Sequence, residues 1–187
     1  MAAAAVYSPS VYDSLPSLHA ASDTFEQLQH QAILEKEIAI IHEVYNELAI
    51  CLLHRHFDLS PSEKLVELGA ISSPWEDSQN RPNVFGGSIV PRSWAFRQGS
   101  LFPFEFGYNE GLKAEVYKPL PEKPAFYTEL NDLLVKHGLE HLLGLTLNTD
   151  EIRSGTVKFE KTFDRSNVVF TIKYDNEIAA KEAIPAM

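Results

Sequence analysis

Cysteine is nearly missing from this 187-residue chain, with Cys51 the only one present. It can form no internal disulfide, and a lone thiol inside an apolar run suits a reducing compartment. A small buried residue is its ordinary role, ahead of a nucleophile. Long hydrophobic runs are missing too: nowhere do eighteen apolar residues follow one another, the length a spanning helix needs. The opening MAAAAVYSPS has neither a positively charged start nor a long apolar stretch, so no secretory signal is expected and the expected location is cytoplasmic. Basic residues are scarce, 16 Lys and Arg against 26 Asp and Glu, for a formal charge of −10. Without a clustered cationic footprint, broad binding to nucleic acid or to anionic membrane is not expected. The nine glycines make no phosphate-binding loop of the Walker or dinucleotide type, and no Gly-x-Ser-x-Gly elbow occurs.

What is present is an aromatic chain of ordinary polarity, 44% hydrophobic and 22% charged, with eleven Phe, seven Tyr and two Trp. Its length suits one domain with a substantial core. Residues 1–21 mix Ala, Ser and Pro without a period and read as a flexible N-terminal arm. Ser22-Asp23, with Glu26 three residues after Asp23, resembles a capping box. Phe25, Leu28, Leu34, Ile38, Ile41, Tyr45 and Leu48 then recur at helical spacing. Residues 49–59 read as a strand and 64–70 as its partner, followed by a long loop over 72–87. Residues 88–97 and 101–108 read as a hairpin. Pro124 opens a second helix with an apolar face of Phe126, Leu130, Leu133 and Leu134, and Gly138 ends it. LLGLTLN is a further strand, and the last hairpin turns at Asp164-Arg165-Ser166-Asn167. This order predicts an α+β fold: a single domain over 22–176, a mainly antiparallel curved sheet of six or seven strands, two principal helices on one face, and a weakly ordered tail over 177–187.

The segment LLHRHFDL, residues 52–59, carries the most chemistry. If it is extended, His54 and His56 share one side and Arg55 takes the other. Two imidazoles at that spacing can reach one divalent metal ion, but a catalytic site needs a third protein ligand. Glu105, His42, Asp58, Glu63, His137 and His141 are the candidates for it. The spacing is like the His-x-His of cupin barrels, but the acidic ligand that follows it there is shifted here to Asp58 or Glu63, and the glycines that accompany it are missing. In FPFEFGY, Glu105 alternates with Phe102, Phe104, Phe106 and Tyr108. An acid so flanked is a candidate for desolvation and a raised pKa. His54, His56 and Glu105 are therefore the candidate acid–base residues, with either histidine as base and Glu105 as acid. Arg55 and Arg97 are candidates to orient a substrate carboxylate, and Trp75, Trp94 and Phe96 to line an apolar pocket. Trp75 would sit on the long loop as part of a lid.

LLHRHFDL, SSPW, VPRSWAF and FPFEF together resemble a pattern found in small fungal proteins to which no reaction is attached. The resemblance covers about residues 48–108 and implies one compact module, with no cofactor or catalytic residue to carry over. The expected function is binding of a small organic molecule, extending to cofactor-free acid–base conversion of the isomerase, dehydratase or hydrolase type. The alternative is a non-catalytic module that docks a protein partner through its acidic surface and aromatic loop. A histidine-ligated metal protein is the third reading.

Overall fold

Short turns set most of the sheet. In the computed structural model, which describes residues 6–28, 47–76, 87–110, 117–148 and 156–173, strands β4 (Ser88–Arg97) and β5 (Ser100–Asn109) meet at Gln98-Gly99. Both turn residues have positive φ, 51° and 74°, the geometry whose twist matches a right-handed hairpin. Asp164-Arg165 joins β7 (Thr156–Phe163) to β8 (Ser166–Lys173) equally tightly, and Gly69-Ala70 joins β2 (Glu63–Leu68) to β3 (Ile71–Glu76). The last of these turns relies on Gly69 at a φ of 64°. With β1 (Leu48–Leu52) and β6 (Leu143–Leu147), these strands form one eight-stranded sheet, in the order β1-β6-β4-β5-β2-β3-β8-β7.

The fold is thus mixed α+β with one curled sheet, and the expected strand count needs correction. Among the described residues there are eight strands rather than six or seven, because SSPWE belongs to β3 instead of a loop. The expectation of a mainly antiparallel sheet holds in part: β2 lies parallel to β5, with Leu65 beside Glu105. That pairing joins two hairpins distant in sequence, which no local pattern announces. Of the long loop expected over 72–87, residues 77–86 lie outside the described residues.

Helix α1 (Pro9–Asp13) and helix α2 (Leu18–Gln27) occupy the N-terminal region. Here the described part of the supposed arm is packed, with Val11, Tyr12, Leu15 and Ala21 all buried. Ser17 caps α2 by accepting from the Ala20 N–H, which satisfies a donor that the first helical turn leaves free. The helix therefore starts five residues before Asp23. Asp23 lies inside it and faces His19 one turn back, at 3.5 Å. Leu34, Ile38, Ile41 and Tyr45 fall outside the described residues, as does the tail from 174 onward. Helix α3 (Pro124–Lys136) matches its expected bounds. Pro124 has no N–H to waste at the first position, and Gly138 takes the left-handed conformation (φ 68°) that closes the helix.

Phe126, Tyr127, Leu130 and Leu134 of α3 pack with Ala21, Trp94, Phe96, Leu101, Leu145 and Leu147 in the largest apolar cluster. A second cluster joins Val11, Tyr12 and Leu15 to Leu53, Leu65, Ala95 and Phe104. A third gathers Val66, Phe106 and Tyr108 beside Trp75 and Tyr7. The sheet curls strongly between these clusters. Its two edge strands, β1 and β7, are so close that His54, just past β1, touches Glu160 of β7. Among the described residues no helix is long and apolar enough to cross a membrane.

Candidate functional site

Strand β1 stops at Leu52, short of the expected end at residue 59. The chain beyond it is held by other means. The Leu53 N–H donates to the Leu142 carbonyl at 2.8 Å and the Arg55 N–H to the Pro16 carbonyl at 2.8 Å. The His56 N–H donates to the Tyr12 hydroxyl at 3.2 Å. The segment before α2 thus fixes the extended His-Arg-His backbone, and the two imidazoles project to the same side. Their rings meet edge to face, with centroids 4.6 Å apart.

That side is the inside of the curl. A pocket of about 160 Å³ lies there, and each of the eight strands contributes to its lining. Cys51 comes from β1, Glu67 from β2 and Ser72 from β3. Ser93 and Arg92 come from β4, Glu105 from β5 and Thr146 from β6. Glu160 of β7 and Asn167 of β8 complete the ring. Adjacent strand residues normally face opposite ways, but the β4–β5 register slips on both sides of Ser93. Such a bulge re-aims side chains and lets both Arg92 and Ser93 reach the pocket.

Both oxygens of Glu105 are engaged. His56 Nε2 lies 3.3 Å from its Oε1, and the Ser93 hydroxyl donates to its Oε2 at 2.8 Å. Ser93 Oγ also lies 3.0 Å from the Thr146 hydroxyl. Burial pushes the Glu105 pKa upward, but His56, Arg92 and His54 outweigh it and hold the carboxyl down at about 2. The aromatic flanks suggested the opposite direction. The reason for the difference is tertiary: phenylalanines surround Glu105 along its own strand, while histidines face it from the end of β1. That downward direction runs against the proton-donor role expected of Glu105.

His54 sits against Glu160, with Nε2 2.8 Å from Oε1. Its other ring nitrogen, Nδ1, lies 2.9 Å from the Leu52 carbonyl. Burial alone would lower the His54 pKa, but Glu160, then Glu105 and the Leu52 carbonyl, raise it above its ordinary value. Glu160 is opposed by burial and held low by His54, His56 and Asn167. The Asn167 amide donates to its Oε2 at 3.0 Å. Despite the short separation, the His54–Glu160 contact lacks hydrogen-bond alignment, and buried Nε2 has no hydrogen-bond partner. Farther along the pocket, Glu67 is clamped between Arg92 and the Tyr117 hydroxyl, the latter at 2.5 Å. Burial, opposed by Arg92 and reinforced by Glu105, raises the Tyr117 pKa.

The structure brings His54, His56 and Glu105 together and places the other expected residues elsewhere. Arg55 points away and pairs with Asp58 at 2.9 Å. Arg97 donates to the Phe96 and Glu140 carbonyls. Trp94 and Phe96 are core residues beneath α3. Trp75 stands on a strand rather than a lid, its ring tilted against Tyr108 and its indole N–H on Ser73. None of these five lines the pocket. Of the candidate third metal ligands, Glu63 is engaged by the Ser60 N–H and Arg165, and His141 is exposed beside Glu140. His42 lies outside the described residues. Glu160 and Glu67 were not anticipated. The trace that Glu160 leaves in the sequence is its position on the alternate face of the last hairpin from Phe159 and Lys161.

Comparison of the chain with protein-family models, curated proteins and solved structures finds no match.

Proposed function

We propose that this protein binds a small polar organic molecule inside its curled sheet. The observation that supports this most directly is the convergence of all eight strands on one polar pocket. Carboxylates and hydroxyls on a sheet's concave side are costly to bury unless they serve each other or a ligand. The volume of about 160 Å³ falls below the ~300 Å³ at which drug-sized sites begin. The ligand is therefore smaller than a drug-sized molecule.

Glu67, Glu105, Glu160, Ser93, Thr146 and Asn167 make the lining rich in acceptors, while Arg92 is already committed to Glu67. That balance favours a ligand rich in donors, such as a polyol or an amine, over the carboxylate suggested by arginine-based orientation. The reading is binding rather than proton transfer, since both oxygens of Glu105 are occupied by His56 and Ser93. A protein-docking role draws less support, because Trp94 and Phe96 are buried and Trp75 packs against Tyr108.

A thermal-shift screen of small polyols, amines and carboxylates tests this, run on the wild type and on Val169→Trp. Val169 lines the pocket without entering the hydrogen-bonded groups described above, so the larger side chain fills space and leaves them intact. A ligand at about a hundred times its Kd adds ~2.7 kcal/mol. The expected result is stabilisation by donor-rich compounds in the wild type, lost in folded Val169→Trp. No stabilisation by any class, or stabilisation unaffected by the filling variant, refutes the proposal.

A further inference from the structure

We propose that His54, His56 and Glu160 form a binding site for a divalent transition-metal ion, with zinc the first candidate, whose open positions face the pocket. One ligand atom from each residue falls within a group whose members all lie within 4.8 Å of one another. An ion bound at about 2.0–2.2 Å to four donors spaces them about 3.4 Å apart. Side-chain shifts of about 1 Å therefore close the three onto an ion. Two imidazoles and one carboxylate are a donor set suited to zinc and to other first-row divalent ions.

The strongest support is the state of His54. A carbonyl oxygen only accepts, so the Nδ1 beside the Leu52 carbonyl at 2.9 Å carries the hydrogen. In the neutral ring, Nε2 then presents a lone pair towards Glu160 Oε1, 2.8 Å away. Two acceptors at that separation repel each other unless a cation lies close to both. A proton or a metal ion on Nε2 relieves that repulsion, and the poor hydrogen-bond alignment of the buried nitrogen favours the ion. A metal ion satisfies both lone pairs at once.

The surroundings fit the same purpose. Ligating histidines usually give their second nitrogen to a carbonyl or carboxylate, and ligating carboxylates are themselves hydrogen-bonded. Leu52 supports His54 through Nδ1 and Asn167 supports Glu160 through Oε2, while Glu105 lies 3.3 Å from Nε2 of His56. With three protein ligands, the ion retains positions for water or for an oxygen or nitrogen of the organic ligand. The inference shares the proposed ligand pocket but does not need that ligand to be correctly identified.

The test uses the full chain, purified untagged and without chelator. Zinc is titrated calorimetrically, and the cobalt(II) form is followed by its visible d–d bands. One ion per folded chain is expected. His54→Ala and Glu160→Gln should each weaken zinc binding by more than the ~10–100-fold typical of losing an outer hydrogen-bond partner. Glu160→Gln keeps the side chain's shape and its acceptor for Asn167, and circular dichroism checks its fold. His141→Ala, at an exposed histidine, should leave affinity unchanged. Folded wild type that binds no stoichiometric zinc overturns the inference, as does binding insensitive to both site variants. Ion binding is read without organic ligand, and the Val169→Trp comparison needs no ion, so the two proposals fail separately.

Discussion

Replacing Tyr12 tests whether the N-terminal segment is a built part of the site. Its ring is 1% exposed and packs with Leu15, Leu53, Leu65 and Phe104. Its hydroxyl accepts the His56 N–H at 3.2 Å. Burial leads the influences that push its pKa up to about 12, so the group stays a neutral phenol throughout the ordinary range. Tyr12→Phe keeps the ring and removes one hydrogen bond, a loss of about 1 kcal/mol. Tyr12→Ala removes the ring as well, and large-to-small changes of buried aromatics cost about 3–5 kcal/mol. In a chain of this length each kcal/mol moves the Tm by about 2–4 °C. Calorimetry should therefore show a fall of about 2–4 °C for the Phe variant and about 6–20 °C for the Ala variant. Urea titration should give the same ranking with an unchanged m-value. An Ala variant no worse than an ordinary surface substitution, within about 0.5 kcal/mol, would refute the packing of α1 against the sheet and the support it lends His56.

Three further outcomes follow from other parts of the molecule. Gly107→Ala should destabilise by about 2 kcal/mol or more in urea titration, an overpacking cost, because a Cβ there would lie 2.3 Å from the Tyr117 ring. Glu63 is opposed by burial but held below its ordinary value of 4.5 by the Ser60 N–H and Arg165. Its stabilising contribution should be full above that value and fade as pH falls through the lower folded-state pKa. The Tm gap between wild type and Glu63→Gln should therefore narrow on acidification, and a gap that widens in acid would contradict the sign. Glu105→Gln should lower stability by about 1–3 kcal/mol, since a charge-assisted partner of His56 is replaced by a neutral amide. A denaturation midpoint equal to wild type would show that the His56–Glu105 contact contributes nothing.

The elements readable from the sequence are those whose determinants are local. The β4–β5 and β7–β8 hairpins follow from alternation and turn residues, and α3 follows from Pro124, a 3.6-residue apolar period and Gly138. Alternation also put His54 and His56 on one side, although β1 ends before them, because the chain stays extended beyond the last ladder pair. The N-terminal segment misled for a compositional reason. Ala, Ser and Pro carry little periodic signal, and Val11, Tyr12 and Leu15 are buried by what they meet rather than by a pattern among themselves. Trp75 was misplaced because Ser72, Ser73 and Pro74 favour turns in isolation, whereas pairing with β2 makes them a strand.

By itself the sequence determined the mixed α+β character, the hairpins and the placing of two imidazoles on one side of an extended segment. Tertiary structure alone decided what those imidazoles face. Curling brings β7 round to the end of β1, so Glu160 reaches His54. The β2–β5 pairing and the β4 bulge bring Glu67, Arg92, Ser93 and Glu105 into the same pocket. The same curl reversed the inference about Glu105, whose charge is governed by His56, Arg92 and His54 as well as by its aromatic neighbours. Electrostatic energy depends on distance through space, and distance along the chain does not predict it.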